Sequence, residues 1–408
     1  MNIKYILIPS LFLFFNLNAN NNFEKYSPKY KLPQKKIKEQ TLKLPDILNP
    51  EIKNNKKEKL LSTFVRKGPT IQIAILLDTS NSMDGLLSQA KKQIWKIINE
   101  ISKANKNNKE VIIEVAIFEY GKSSIPREEG YIKMHTPLTS DLDKVSEKLF
   151  DLYTQGGEEY AGMVIKEATN RLQWSNNEND LKLILIAGNE SFNQGNIDYK
   201  YAVNKAKKNK IIINTIFCGN YDKGINLKWK EAAKLGNGKY MNISQNEEIL
   251  YIKTPYDEKI NNLSKQLNKT YFGYSKKAKI AKKRMLVQDT MAEKLNTLVE
   301  RNIVKASSQY DTSQWDVLSK YEKNKDKTIK EIKKIKKIET KEEEEKLKKE
   351  LEEKLKKQKE LKKEINKLKL KREEYLNNND KTSEKKDFGT VIIKNIKEIL
   401  KSNNFNIK

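Results

Sequence analysis

The stretch that decides the fold is TIQIAILLDTSNSMDG, residues 70–85. Residues 70–77 are almost continuously apolar and rich in β-branched side chains, the pattern of a strand buried on both faces. The run ends at Asp78. Side-chain oxygens follow at i+2 and i+4, on Ser80 and Ser82, and then Asp84 and Gly85. Directly after comes LLSQAKKQIWKIINEIS (86–102), which puts Leu87, Ala90, Ile94, Ile97, Ile98 and Ile101 on one helical stripe. A buried strand, a tight polar turn and an amphipathic helix therefore succeed one another.

The same alternation continues outward. VIIEVAIFEY (111–120), LKLILIAG (181–188), IIINTIFCG (211–219) and GKYMNIS (238–244) read as strands. DKVSEKLFDLY (143–153), YAGMVIKEATNRLQW (160–174), YKYAVNKAKKN (199–209) and LKWKEAAKLG (227–236) read as helices between them. Alternation of this kind predicts an α/β domain over 70–250: a doubly wound, mostly parallel sheet flanked by helices. Such sheets hold ligands beyond the carboxyl ends of their strands. Cys218 falls inside a strand and reads as a small core residue. His135, in KMHTPLT beside Pro137, reads as a surface-loop residue.

The flanks are different in texture. Residues 1–19 have the form of an export signal: Lys4, the apolar run YILIPSLFLFFNL, and Ala19 at a cleavage position. The run is shorter than the ~20 residues that span a bilayer, although retention as an uncleaved anchor is the other reading. Both put the body outside the cytoplasm, periplasmic or extracellular. Residues 20–69 are a polar, lysine-rich linker with prolines at 28, 33, 45 and 50. After 250 the strand signals stop. Residues 251–327 form a helical region, 328–376 one long charged helix, and 377–408 a segment with the short amphipathic helix VIIKNIKEIL (391–400). In the long helix Glu342, Glu344, Glu345, Glu350, Glu352 and Glu353 each precede a lysine by four residues, the favourable direction for pairing. Its apolar seam does not keep a sustained heptad.

Composition narrows the function. Of 408 residues, 81 are Lys or Arg and 54 are Asp or Glu, a net charge of +27. One Cys rules out an intramolecular disulfide, and one His leaves little room for triads or multi-histidine metal sites. The basic groups are spread through the linker and interleaved with Glu in the tail, with no zinc module, RNP motif or phosphate loop beside them. The expectation is no nucleic acid, and a weak contact with an anionic membrane surface.

At the end of the first strand, Asp78, Ser80 and Ser82 offer one carboxylate and two hydroxyls. These are hard oxygen donors, suited to Mg²⁺, Mn²⁺ or Ca²⁺ rather than to metals that prefer sulfur and imidazole. A polar turn with Ser82 or Asp84 capping the next helix is the plainer reading. Only the cation accounts for all three oxygens after a buried strand.

D-x-S-x-S in this context resembles the von Willebrand factor type A domain. The resemblance implies a metal-ion-dependent adhesion site, non-enzymatic, whose cation completes its shell with an acidic residue of the ligand. The other motifs depart from the family. Where a Thr from a Gly-rich loop is usual, TQGGEEYAGMVI (154–165) has Glu158 and Glu159; where T-D-G is usual, LIAGNESF (185–192) has Asn189 and Glu190. GGEEY, AGNE, NTIFCG and GKYMNI together resemble a narrower, exported bacterial group with a Lys/Glu-rich helical tail, opened here by ASSQYDTSQWDVLSKYE (306–322). The metal-ligand candidates are thus Asp78, Ser80, Ser82, Glu158, Glu159, Asn189 and Glu190. Two readings stand for Glu158 and Glu159: at most one is a ligand, or both are first-turn acids facing a helix dipole. Two also stand for Asn189 and Glu190: ligands, or a loop stripped of its ligand. Extra carboxylates neutralise the cation internally and lessen the need for an acidic partner. The function expected is divalent-cation-dependent binding of a protein partner in the bacterial cell envelope. The alternative is a structural envelope protein acting through self-association of its helical tail.

Overall fold

Thr70–Asp78 form β1, a strand with all nine residues buried. Alternate side chains leave a strand on opposite faces, so Ile71, Ile73, Ile75 and Leu77 enter one apolar core while Ala74 and Leu76 enter another. The structure is a computed structural model that describes residues 68–247, 249, 251–379 and 387–407. The expected export signal (1–19) and all but the last two residues of the linker (20–69) lie outside the described residues.

From β1 the chain runs through α1 (Asp84–Ile101), the short strands β2 (Ala104–Lys106) and β3 (Lys109–Glu110), then β4 (Ile112–Tyr120) and β5 (Ile132–Thr139). Next come α2 (Leu142–Phe150), α3 (Ala161–Arg171), β6 (Leu181–Gly188), α4 (Tyr199–Lys208) and β7 (Ile212–Cys218). Helices α5 (Tyr221–Asn226) and α6 (Trp229–Leu235) lead into β8 (Asn237–Ile243). The strand order β5-β4-β1-β6-β7-β8 is parallel throughout except for β5, which runs antiparallel to β4 at one edge. Helices α1 and α2 cover one face; α3, α4 and α6 cover the other. This is the mostly parallel, helix-flanked sheet that the alternation predicts.

The edge strand corrects the reading of His135 as a loop residue. It lies within β5, its Nε2 2.8 Å from Glu119 Oε1, with 12% of its side chain exposed. Pro137 masks the strand in the sequence, yet a proline is tolerated at a sheet edge because no neighbour needs its missing N–H. Cys218 is buried in β7 as expected.

The helical layer comprises α7 (Asp257–Thr270), α8 (Lys276–Lys294), α9 (Leu298–Ala306), α10 (Val317–Lys323), α11 (Lys325–Lys336) and α12 (Lys341–Asn379). The stretch 328–376, expected as one helix, is broken. Lys337 closes α11 in the left-handed region at φ 54°. Thr340 opens α12 with a reciprocal cap: Glu343 N–H donates to Thr340 Oγ1 (3.2 Å), and the Glu343 carboxylate accepts from Thr340 N–H (3.3 Å). T-x-x-E is a readable start signal, hidden here by the surrounding Lys/Glu run. The seam Leu347, Leu351, Leu355, Leu361, Ile365 and Leu368 is buried against α7, α9, α10 and α11 within the same chain.

Charged pins fasten this layer to the α/β body. Arg301 Nη1 bonds Asp143 Oδ1 on α2 (2.7 Å), its Nε bonds Asp289 on α8 (2.6 Å), and its guanidinium lies 4.7 Å over the Trp95 ring. Within the layer itself, Arg372 on α12 bonds Asp257 on α7 (2.9 Å) and Glu300 on α9 (2.7 Å). Helix α13 (Phe388–Ser402) then returns to pack on α1, and β9 (Asn406–Ile407) pairs with β2. Phe388, Ile392, Ile396 and Leu400 are part of the same core as β1, so that core draws on residues well beyond 250.

Candidate functional site

β1 delivers Asp78 to the carboxyl edge of the sheet, where the chain must turn sharply into α1. Ser80 N–H donates to Asp78 Oδ1 (2.8 Å), which closes the turn. That bond brings the Ser80 hydroxyl within 3.2 Å of the Ser82 hydroxyl. From the end of β6, Asn189 Nδ2 donates to Ser82 Oγ (2.9 Å). From the loop before α3, Glu159 enters the same place; its backbone N–H is held by Gln194 Oε1 (3.2 Å). The Glu159 carboxyl lies against both the Asp78 carboxyl and Ser80.

Asp78 is fully buried and Glu159 is 7% exposed. Two carboxylates out of water and in contact cannot both stay charged without a counter-charge. Burial first, then the Asp78 neighbour, pushes the Glu159 carboxyl up to about 9. Burial likewise raises Asp78, and the Glu190 charge adds to it. Asp78 Oδ2 is buried with no hydrogen-bond partner. Such an orphaned atom is costly unless something fills its place. A proton on Glu159 offsets part of that cost; a divalent cation satisfies both carboxylates at once.

Two glycines make the close approach feasible. Gly121, at φ +80°, is in a conformation that favours glycine, and a Cβ there would lie 2.8 Å from Glu159 Cγ and 2.9 Å from Asp78 Oδ1. A Cβ on Gly188 would lie 3.1 Å from Asp78 Oδ2 and 2.5 Å from the Tyr120 hydroxyl. Tyr120 in turn donates to Ala187 O (3.0 Å) and ties the ends of β4 and β6 together.

The expected ligands divide. Asp78, Ser80, Ser82, Glu159 and Asn189 form one connected group. Glu158 is exposed and accepts a hydrogen bond from the Tyr160 hydroxyl. Glu190 is also exposed; its backbone carbonyl is anchored by Trp229 Nε1 (2.8 Å), and its carboxylate acts on the pair through its charge. Among the described residues no three carboxylate, imidazole or thiol groups converge. The donor set is two carboxylates completed by hydroxyl and amide oxygens, a hard-oxygen composition that fits a divalent cation.

Behind the loop lies a network that no motif announced. Thr79 Oγ1 donates to Tyr120 O (3.2 Å) and reaches Glu119 Oε2 (3.4 Å), which Lys122 Nζ approaches at 3.5 Å. Burial pushes the Glu119 carboxyl up, but His135 and Lys122 outweigh it and leave it below the usual range. Its only sequence signal is an acid next to the end of a mostly apolar strand that also carries Glu114. Beside Ser82 a cavity of about 470 Å³ opens, lined by Asp84, Cys218, Gly219, Gln245 and Asn246 among others.

The family model of the von Willebrand factor type A domain matches residues 72–248. No curated protein matches the sequence. Among solved structures, the chain is similar to an aerotolerance-related membrane protein from Bacteroides fragilis with multiple mutations to serine: 18% identity, 43% of this chain and 92% of that one, TM-score 0.29. It is similar to a von Willebrand factor type A protein from Catenulispora acidiphila, at 16% identity over 43% of this chain and 39% of that one, TM-score 0.33. A further likeness is to proximal thread matrix protein 1 from the mussel byssus, in a form with a zinc-occupied MIDAS motif: 14% identity, 44% and 43% covered, TM-score 0.31. With the strand order, the Asp78–Ser82 turn and the family match in hand, the chain carries a von Willebrand factor type A domain at residues 72–248.

Proposed function

We propose that this is a non-enzymatic binding protein of the bacterial cell envelope, which engages a protein partner through a divalent cation at the carboxyl edge of its sheet. Asp78, Ser80, Ser82, Glu159 and Asn189 would hold the ion, with Glu190 adding negative charge from the rim; Glu158 is left outside the set. The observation that carries the reading is the orphaned Asp78 Oδ2 beside a second buried carboxylate. When bound, Mg²⁺, Mn²⁺ or Ca²⁺ supplies an open coordination position for an oxygen of the partner. Because Asp78 and Glu159 already balance the ion's charge, that oxygen can be neutral, a carbonyl or hydroxyl. The cavity beside Ser82 offers room for the side chain that accompanies it. The envelope assignment draws on the signal-like first 19 residues of the sequence. Self-association of the tail is less favoured, because the seam of α12 is already buried within the chain.

Calorimetry on the full chain with each of the three cations tests the reading. Asp78→Ala should abolish the binding heat, together with chelator-sensitive capture of any envelope partner. Equal heats for the variant and the unaltered protein would refute it.

A further inference from the structure

We infer that the outer face of α8 is a docking surface for an anionic phospholipid membrane. This sharpens the expectation drawn from the net charge of +27 and does not depend on the cation site.

The helix Lys276–Lys294 buries Ala278, Ala281, Met285, Gln288 and Ala292. Its opposite face leaves Ile280 58%, Leu286 45% and Val287 47% exposed. At 100° per residue, Ile280 and Val287 stand almost in line, one above the other, and Leu286 lies toward one margin of the same exposed arc. Lys276, Lys277, Lys279 and Lys283 are exposed on that arc too. None of the four forms an ion pair among the described residues. Of the helix's other cations, Lys282 donates to Tyr271 O (2.6 Å) and Arg284 pairs with Asp141 (2.6 Å), while Lys294 is exposed at the C-terminal end.

Helix α12 supplies the contrast. Its lysines are interleaved with glutamates along the helix, and some of them pair, as in Lys348–Glu344 (3.0 Å), or pair across helices, as in Lys359–Glu322 (2.7 Å). That is how a solvated face is built: glutamates offset the lysines, and Leu370, 66% exposed, stands as a single large aliphatic side chain rather than part of a strip. On α8, unpaired cations surround exposed aliphatic side chains. Lysines that reach past an apolar strip to anionic headgroups match a bilayer interface in both charge and polarity. A soluble polyanion would satisfy the lysines and leave Ile280, Leu286 and Val287 in water.

The test uses the full chain with Val287→Cys, labelled with a polarity-sensitive fluorophore; the native Cys218 is buried and should not react. With vesicles of phosphatidylglycerol in phosphatidylcholine the emission should shift to the blue, and with phosphatidylcholine alone it should not. High salt should reverse the shift. Each replacement among Lys276→Gln, Lys277→Gln, Lys279→Gln and Lys283→Gln should weaken partitioning about fivefold. The pair Ile280→Ser and Leu286→Ser should weaken it further while leaving its salt dependence unchanged. Vesicle binding without a shift of the label would overturn the proposal, since the apolar run at residues 5–17 would then be responsible. Undiminished binding of the Ile280→Ser/Leu286→Ser protein, with full competition by a soluble polyanion, would overturn it in favour of a polyanion site.

Discussion

At the scale of single residues, two carboxyl groups in contact and out of water define the site. Their proximity is a cost, offset by a proton on Glu159 or by a counter-charge beside the pair. Glu159→Gln should therefore act in opposite directions. Without divalent cations it spares the cost of keeping a buried carboxyl protonated at neutral pH and should raise stability by about 1–3 kcal/mol; with them, the cation-dependent rise in melting temperature should vanish. Thermal melting in chelator and in excess Mg²⁺ or Ca²⁺ reads both effects, and a variant that keeps the cation response would remove Glu159 from the ligand set. Gly121→Ala should destabilise the protein by roughly 1–3 kcal/mol, because it adds a methyl against Glu159 and Asp78 at a positive φ. The result should appear as a lower urea midpoint with an unchanged slope.

At the scale of elements, the ends of helices carry most of the unexpected information. Lys337 holds a left-handed conformation at the end of α11, where glycine is the usual residue. Lys337→Gly should stabilise the junction by about 1 kcal/mol, measurable as a raised melting temperature; a lowered one would mean that the lysine side chain is needed there. Helix α13 belongs by sequence to the tail and by packing to the α/β core. Asp387 caps it, accepting from Thr390 N–H (3.0 Å) and bonding Gln93 on α1. Ile396, 1% exposed, sits in the core shared with β1. Ile396→Ala should cost about 2–5 kcal/mol and should weaken the α/β domain itself. Hydrogen exchange at β1 amides tests this, since a tail that stood apart would leave those amides untouched.

At the scale of the whole molecule, ion pairs knit the helical layer together, with Arg301 reaching on to Asp143 of the sheet domain, and their chemistry sets a pH dependence. Burial pushes the Asp289 carboxyl up, but Lys305 and Arg301 outweigh it and leave it below its ordinary value of 3.8. A depressed carboxylate contributes stability above the unfolded value and loses it as pH falls through the folded one. Asp257, held by Thr254, Tyr251 and Arg372 against its burial, follows the same sign. Burial pushes Lys305 down to about 8, so the folded chain releases that proton before the unfolded one does. Its contribution therefore rises with pH between about 8 and the ordinary lysine value of 10.5. Urea midpoints followed from neutral pH down through the carboxylate range should fall, and Asp289→Asn should flatten that fall. An unchanged slope in the variant would mean that other carboxylates govern acid stability.

The strand and helix alternation, and the oxygen turn at 78–82, were legible in the sequence because both are local. Apolar runs, periodicity and a D-x-S-x-S spacing depend on neighbours a few residues away. The edge strand with His135 was not legible, since Pro137 disguises it and only pairing with β4 makes it a strand. The choice between Glu158 and Glu159 was equally closed to the sequence: two adjacent acids look alike until one side chain turns inward to Asp78 and the other outward to Tyr160. The return of the tail to α1 depends on contacts such as Phe388 N–H to Gln89, 299 residues apart. Local pattern determines which elements form. Which of them share a core, and which charges meet out of water, is decided only when distant parts of the chain exclude solvent together, because burial and pairing energies belong to the assembled surfaces and not to any one segment.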